Sequence, residues 1–125
     1  MDEVMGKILT IVVPTYNAEK YLRDNLESFE IPELLQDIEV LIINDGSTDH
    51  SVDIAREYEA RYPDTYRVIT KENGGHGSGI NCGVAHARGT YFKVVDADDW
   101  VGKEAFFSLV KTLKITDADV VYSGF

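Results

Sequence analysis

An apolar run stops abruptly in three carboxylates at Val94, Val95, Asp96, Ala97, Asp98, Asp99 and Trp100. Like charges crowded at the end of a strand are unfavourable unless a cation or a cluster of backbone N–H groups offsets them. Asp96 and Asp98, one residue apart on a turn, can both reach one cation or its bound waters. Mg²⁺ and Mn²⁺ prefer oxygen ligands, and Mg²⁺ commonly takes one or two protein carboxylates while substrate phosphates complete its shell. The spacing therefore suits a metal-bound nucleotide. A solvated acidic turn, with Asp99 at the favourable N-terminal end of the next helix, fits the same residues.

A second acidic strand end lies at Val40, Leu41, Ile42, Ile43, Asn44, Asp45, Gly46 and Ser47. Open α/β sheets bind ligands outside the carboxyl ends of their strands, where an acid after the second strand can meet a ribose or base. Turn and helix-capping chemistry accounts equally for Asp45 to Asp49. After the first strand come Pro14, Thr15, Tyr16 and Asn17. Tyr16 could offer its ring face to a nucleobase while Thr15 and Asn17 supply hydrogen bonds; a tyrosine before a helix can also be a hydrophobic staple. The stretch Asn73, Gly74, Gly75, His76, Gly77, Ser78, Gly79 could bring backbone N–H groups to a diphosphate at a helix N-terminus. It matches neither the dinucleotide fingerprint, which follows a first strand, nor the Walker pattern, which needs Gly-Lys-Ser/Thr. His50 and His86 read as surface positions, His76 as a weak site candidate and Cys82 as a buried helix-face thiol.

These residues need strand ends to hold them. Ile8 to Val13 reads as a strand buried on both faces. Asn17 is expected to cap a helix carrying Tyr21, Leu22, Leu26 and Phe29 at helical spacing and ending before Pro32. Glu39 to Ile43 is a second strand, followed by a helix with Val52, Ile54, Ala55 and Tyr58 toward the core. Tyr66 to Thr70 is a third strand. The glycine stretch opens a helix with Ile80, Val84 and Ala87 on one face, weakened by glycines that each cost about 1 kcal/mol relative to alanine. Tyr91 to Val95 is a fourth strand, a helix spans about Lys103 to Leu113, and Asp119 to Tyr122 reads as a fifth strand. Strands alternating with helices predict an α/β fold with a mostly parallel, Rossmann-like sheet flanked by helices. Ending just after a strand, without a closing helix, is read as truncation of a larger domain.

The chain of 125 residues is 44% apolar, enough for one core and too little for two. A net charge of -10 repels polyphosphate backbones, which argues against nucleic acid and anionic membrane surfaces as partners. An anionic small substrate then needs local positive charge from a metal or from helix N-termini. Cys82 stands alone, so no disulfide forms within the chain, and no stretch approaches the roughly 20 apolar residues of a membrane span. Cytoplasmic location without direct membrane insertion by this segment is the expectation, with membrane association left to parts outside it.

Taken in order, Val12 to Glu19, Asn44 to Asp49, Asn73 to Gly75 and Asp96 to Asp99 resemble the family 2 glycosyltransferases with a GT-A fold, over nearly the whole chain. The resemblance implies that residues 1–125 are the donor-binding part of a metal-dependent, inverting glycosyltransferase using a nucleoside diphosphate sugar, with UDP favoured by family habit. It implies that Pro14, Tyr16 and Asp45 line the nucleoside pocket with Thr15 and Asn17, that Asp96 lies near the ribose or metal, and that Asp98 ligates Mn²⁺ or Mg²⁺. A carbohydrate or lipid-linked acceptor is implied too. The family's general base is a carboxylate expected beyond Phe125, so no catalytic base is assigned, and Asp117 and Asp119 match no motif. Many members carry an arginine where this chain has Ile80 before Asn81; the amides of Gly77 to Gly79, or Asn81, would then meet the diphosphate. Two competing readings are a noncatalytic nucleotide-binding module and a haloacid dehalogenase type phosphatase. The latter places its Asp-x-Asp after the first strand and a Thr or Val where Trp100 stands.

Overall fold

A computed structural model describes residues 6–115. Four strands, β1 (Leu9–Thr15), β2 (Ile38–Asp45), β3 (Tyr66–Lys71) and β4 (Tyr91–Val94), form one sheet in the order β3-β2-β1-β4. Every pairing is parallel, with Thr15 opposite Asn44 and Val12 opposite Val94. The helices are α1 (Leu22–Glu27), α2 (Ser51–Arg61), α3 (His76–His86) and α4 (Lys103–Lys114), with a single 3₁₀ turn at Pro32–Leu34. β1 and β2 are buried along their whole length, as continuous apolar runs in a covered parallel sheet must be. The predicted α/β class and the first four strands are present; the fifth, at Asp119 to Tyr122, lies outside the described residues, as do Asp117 and Asp119.

The strand order dictates which helix lies where. β1 to β2 to β3 steps outward in one direction, and right-handed crossovers put α1 and α2 on one face. The step from β3 back across to β4 reverses direction, so α3 falls on the opposite face. Leu22, Leu26, Ile54, Ala55, Tyr58, Phe106, Val110 and Leu113 accordingly share a core with Ile11, Val13, Val40 and Ile42. The other face is a smaller cluster of Val12, Leu41 and Ile43, with Ile69, Val94 and a half-buried Cys82 against it.

The face of α3 that carries Ile80 and Val84 is not its buried one: the buried residues are Gly79 and Gly83, and Val84 is 39% exposed. A Cβ on Gly83 would collide with Val12 Cγ1, so the helix rests on the sheet at a distance only a missing side chain permits. Asn17 does not cap α1, which begins after Tyr21 with no side-chain cap. Its backbone is left-handed at φ 48, and its Oδ1 accepts a hydrogen bond from the Thr48 N–H at 2.8 Å. The polar side chain is drawn across to the next loop instead of along its own helix.

At the opposite end of the sheet from the acidic strand ends, a buried carboxylate is fully partnered. Glu39 accepts from the Thr10 hydroxyl at 2.7 Å, the Arg88 N–H at 2.6 Å and Arg88 Nε at 2.9 Å. Thr10 Oγ1 in turn accepts from the Gly89 N–H at 2.8 Å, which clasps the turn between α3 and β4 onto β1. No helix among the described residues is long and apolar enough to cross a membrane.

Candidate nucleotide site

β1 lies between β2 and β4 although it precedes both, so the carboxyl ends of these three strands surround the reversal point where open α/β sheets take ligands. Asp45 is the last residue of β2, followed by Gly46 at φ 76. Its carboxylate organises the glycine loop: Oδ1 accepts from Lys71 Nζ and the Gly74 N–H, and Oδ2 from the Gly75 N–H, each at 2.9 Å. Asn73 Nδ2 adds a bond to the Asp45 carbonyl at 3.0 Å. Contact with Lys71 holds the Asp45 carboxyl below its usual range, and the two glycine amides add to this against burial, which alone would raise it. Gly75, at φ 93, is the N-cap residue of α3.

Beyond β1, the loop carrying Tyr16 is interlocked with the loop after β2. The amides of Asn17 and Ala18 donate to Ser47 Oγ and Ser51 Oγ at 3.0 and 2.8 Å, and the Glu19 N–H donates to Asp49 Oδ2 at 3.2 Å. His50 N–H returns a bond to Glu19 Oε1 at 3.3 Å. Tyr16, 55% exposed, is thereby held at the rim of an open hollow of about 240 Å³ lined by Pro14, Thr15, Tyr16, Asp45, Asn73, Gly75 and His76. Drug-sized ligand pockets run from about 300 to 1,000 Å³, so the hollow accommodates part of a nucleotide sugar, with the remainder over open surface.

The acidic turn after β4 is tied from beneath by α1. Asn25 Nδ2 donates to the carbonyls of Asp96 and Asp99 at 3.0 and 2.8 Å, and the Val101 N–H donates to Ser28 Oγ at 3.2 Å. Ala97 is buried, which turns Asp96 and Asp98 outward on either side of it. Asp96 Oδ1 meets His76 Nε2 at 2.8 Å. Since the Gly75 amide is bound to Asp45, adjacent residues of one loop connect the two acidic strand ends. For Asp98 no side-chain partner is found among the described residues.

Of the residues singled out in the sequence, Pro14, Thr15, Tyr16 and Asp45 line the hollow. Asp96 is joined to it through His76, while Asp98 is exposed on the adjoining turn and is not among the lining residues. Asn17 serves the loop interlock. Gly79 is buried, its N–H donating to the Gly75 carbonyl at 3.1 Å and its Cβ position 3.5 Å from Pro14, so it supports the hollow from behind. Asn81 is exposed on α3. Among the described residues no group of three or more His, Cys, Asp or Glu side chains is arranged to hold a metal ion. The donors present, exposed carboxylates on one turn, fit an ion that a pyrophosphate helps to hold and do not fit a closed protein cage.

Sequence reasoning missed Lys71 and Asn25. Asn25 carried a usable signal, a polar residue within the apolar stripe of Leu22, Leu26 and Phe29, and it is wholly buried.

Residues 10–125 match the model of Glycosyl transferase family 2. The chain is 38% identical over 121 residues to the uncharacterized glycosyltransferase EpsJ of Bacillus subtilis, covering 97% of this chain and 35% of that protein. It is 34% identical over 122 residues to the glycosyltransferase GlyG of Streptococcus pneumoniae, covering 97% of this chain and 40% of that one. Among solved structures, TarS of S. aureus in complex with UDP superimposes with a TM-score of 0.74 at 28% identity, over 86% of this chain and 32% of that one. The mannosyltransferase PcManGT of Pyrobaculum calidifontis, in complex with GDP-Man and Mn²⁺, gives 0.72 at 26%, over 82% and 31%. The chain thus spans about a third of the length of relatives such as EpsJ and TarS.

Proposed function

Because the chain belongs to glycosyl transferase family 2, we propose that it forms the donor-binding part of an enzyme that moves a sugar from a nucleoside diphosphate sugar to an acceptor hydroxyl. The observation that carries this reading is the junction of Asp45 and Asp96 through Gly75 and His76 beside the hollow below Tyr16. Tyr16 offers a ring face to the base, with Pro14, Thr15 and Asp45 forming the wall behind it. Asp96 meets the ribose, and the N-terminus of α3 faces the diphosphate, where unpaired amides and the helix dipole favour negative charge. UDP is the proposed nucleotide, since TarS, at 28% identity, was solved with UDP.

Asp98 is the proposed protein ligand of Mn²⁺ or Mg²⁺. A divalent cation shared between Asp98 and the pyrophosphate would stabilise the negative charge that grows on the departing diphosphate. Attack of the acceptor hydroxyl on the sugar carbon from the face opposite the breaking C–O bond gives inversion. The acceptor's proton goes to a base outside the residues assigned here.

Calorimetric titration of UDP into the whole protein, with and without MnCl₂, tests the site. UDP is expected to bind more tightly with Mn²⁺, and Asp98→Ala is expected to remove that Mn²⁺ dependence while leaving the thermal midpoint unchanged. Equal binding with and without the metal, or an Asp98→Ala variant that still responds to it, would overturn the assignment.

A further inference from the structure

We infer that His76 is a positioning residue for Asp96, fixing the carboxylate that the nucleotide meets and coupling it to the loop held by Asp45. The inference rests on the nucleotide-sugar reading above and adds to it a residue that lies in none of the matching motifs. Asp96 leaves the sheet after β4 with its backbone fixed from below by Asn25, yet its side chain is 52% exposed. His76 Nε2, at 2.8 Å, is what constrains it. A carboxylate only accepts hydrogen bonds, so that nitrogen carries the hydrogen and donates.

His76 is itself fixed at its root. It is the first residue of α3, directly after Gly75, whose N–H is bound to Asp45 Oδ2, and it lines the hollow with Tyr16. The His76 side chain is 61% exposed, and exposed ion pairs contribute little to stability. Its removal should therefore spare the fold and be felt where Asp96 must point in one direction.

The test is calorimetric titration of UDP, in MnCl₂, into the whole protein and its variants, with thermal midpoints measured alongside. His76→Ala should bind UDP about tenfold more weakly, the size of one hydrogen bond to a charged group, at an unchanged midpoint. His76→Gln, whose amide nitrogen reaches the place of Nε2, should recover most of the loss, whereas His76→Asn should not. In an Asp96→Ala background, where no acceptor is left for Nε2, His76→Ala should cost nothing further, because the two residues act as one unit. Unchanged binding by His76→Ala, no recovery with Gln, or losses that simply add would each overturn the inference while leaving the nucleotide site intact. A wild-type protein that binds no UDP would overturn the underlying reading and this inference with it.

Discussion

Asp45 shows how one side chain can shape a site without yet touching a ligand. Its two oxygens accept three donors, so it fixes the glycine loop and neutralises Lys71 at the same point. Removing it leaves two amides without their partner and a mostly buried ammonium with the Glu72 carbonyl as its remaining acceptor, a loss on the scale of hydrogen bonds to charged groups. Asp45→Ala should therefore cost about 2–3 kcal/mol in urea unfolding and weaken UDP binding together. Lys71→Met leaves the amide contacts in place and should cost less; an equal cost in the two variants would place the stability in the ion pair and not in the loop. The acid itself was legible in the sequence because strand ends of α/β sheets carry ligands. Its role was not, since an aspartate followed by glycine at a turn reads equally as capping chemistry, and only tertiary structure brings Gly74 and Gly75 to it. His76 and Asn25 were obscure for the same reason: each acts through a residue distant in sequence.

At the level of elements, the strands were the most legible part, because β1 and β2 are covered on both faces and so carry continuous apolar runs, with Thr10, Thr15, Glu39, Asn44 and Asp45 confined to their ends. α3 was legible as a helix, while the face it packs on was not. Periodicity ranks large apolar residues as inward, but this helix lies so close to Val12 that the inward position has to be glycine. The glycines that weaken the helix in isolation are what let it pack. Gly83→Ala should consequently destabilise by about 1–3 kcal/mol through overpacking, despite the better helix propensity of alanine. Gly79 provides the control on the same helix, since its Cβ would meet Pro14 at 3.5 Å, an ordinary contact. Gly79→Ala should be neutral or stabilising by up to about 1 kcal/mol. Chemical denaturation of the two variants checks this, and equal effects would show that propensity, not clearance, governs α3.

Across the whole molecule, the carboxylates and phenols set opposite limits on stability. Burial raises the Glu39 carboxyl, but the Thr10 hydroxyl and the Arg88 amide and guanidinium outweigh it, so its folded pKa lies below the ordinary value. Asp45, held down by Lys71, and Asp49, where Ser51 and the Glu19 amide overcome burial, shift the same way. Their contribution is present above the unfolded pKa values, about 4, and is lost as pH falls through the lower folded ones. Burial instead raises the phenols of Tyr66 and Tyr58, so their contribution is complete below the unfolded value, about 10, and is lost as pH rises toward the higher folded values. Through these groups, urea midpoints should fall below about pH 4 and above about pH 10. Glu39→Gln isolates the acid limb. At pH 7 it should be less stable by about 1–3 kcal/mol, because a buried charge-assisted network is disrupted. The gap from wild type should close below about pH 4, as Glu39 itself takes up a proton and loses its advantage over glutamine. A gap that persists undiminished at pH 3 would locate the loss in the packing of the clasp between Thr10, Arg88 and Gly89 and not in the charge it encloses.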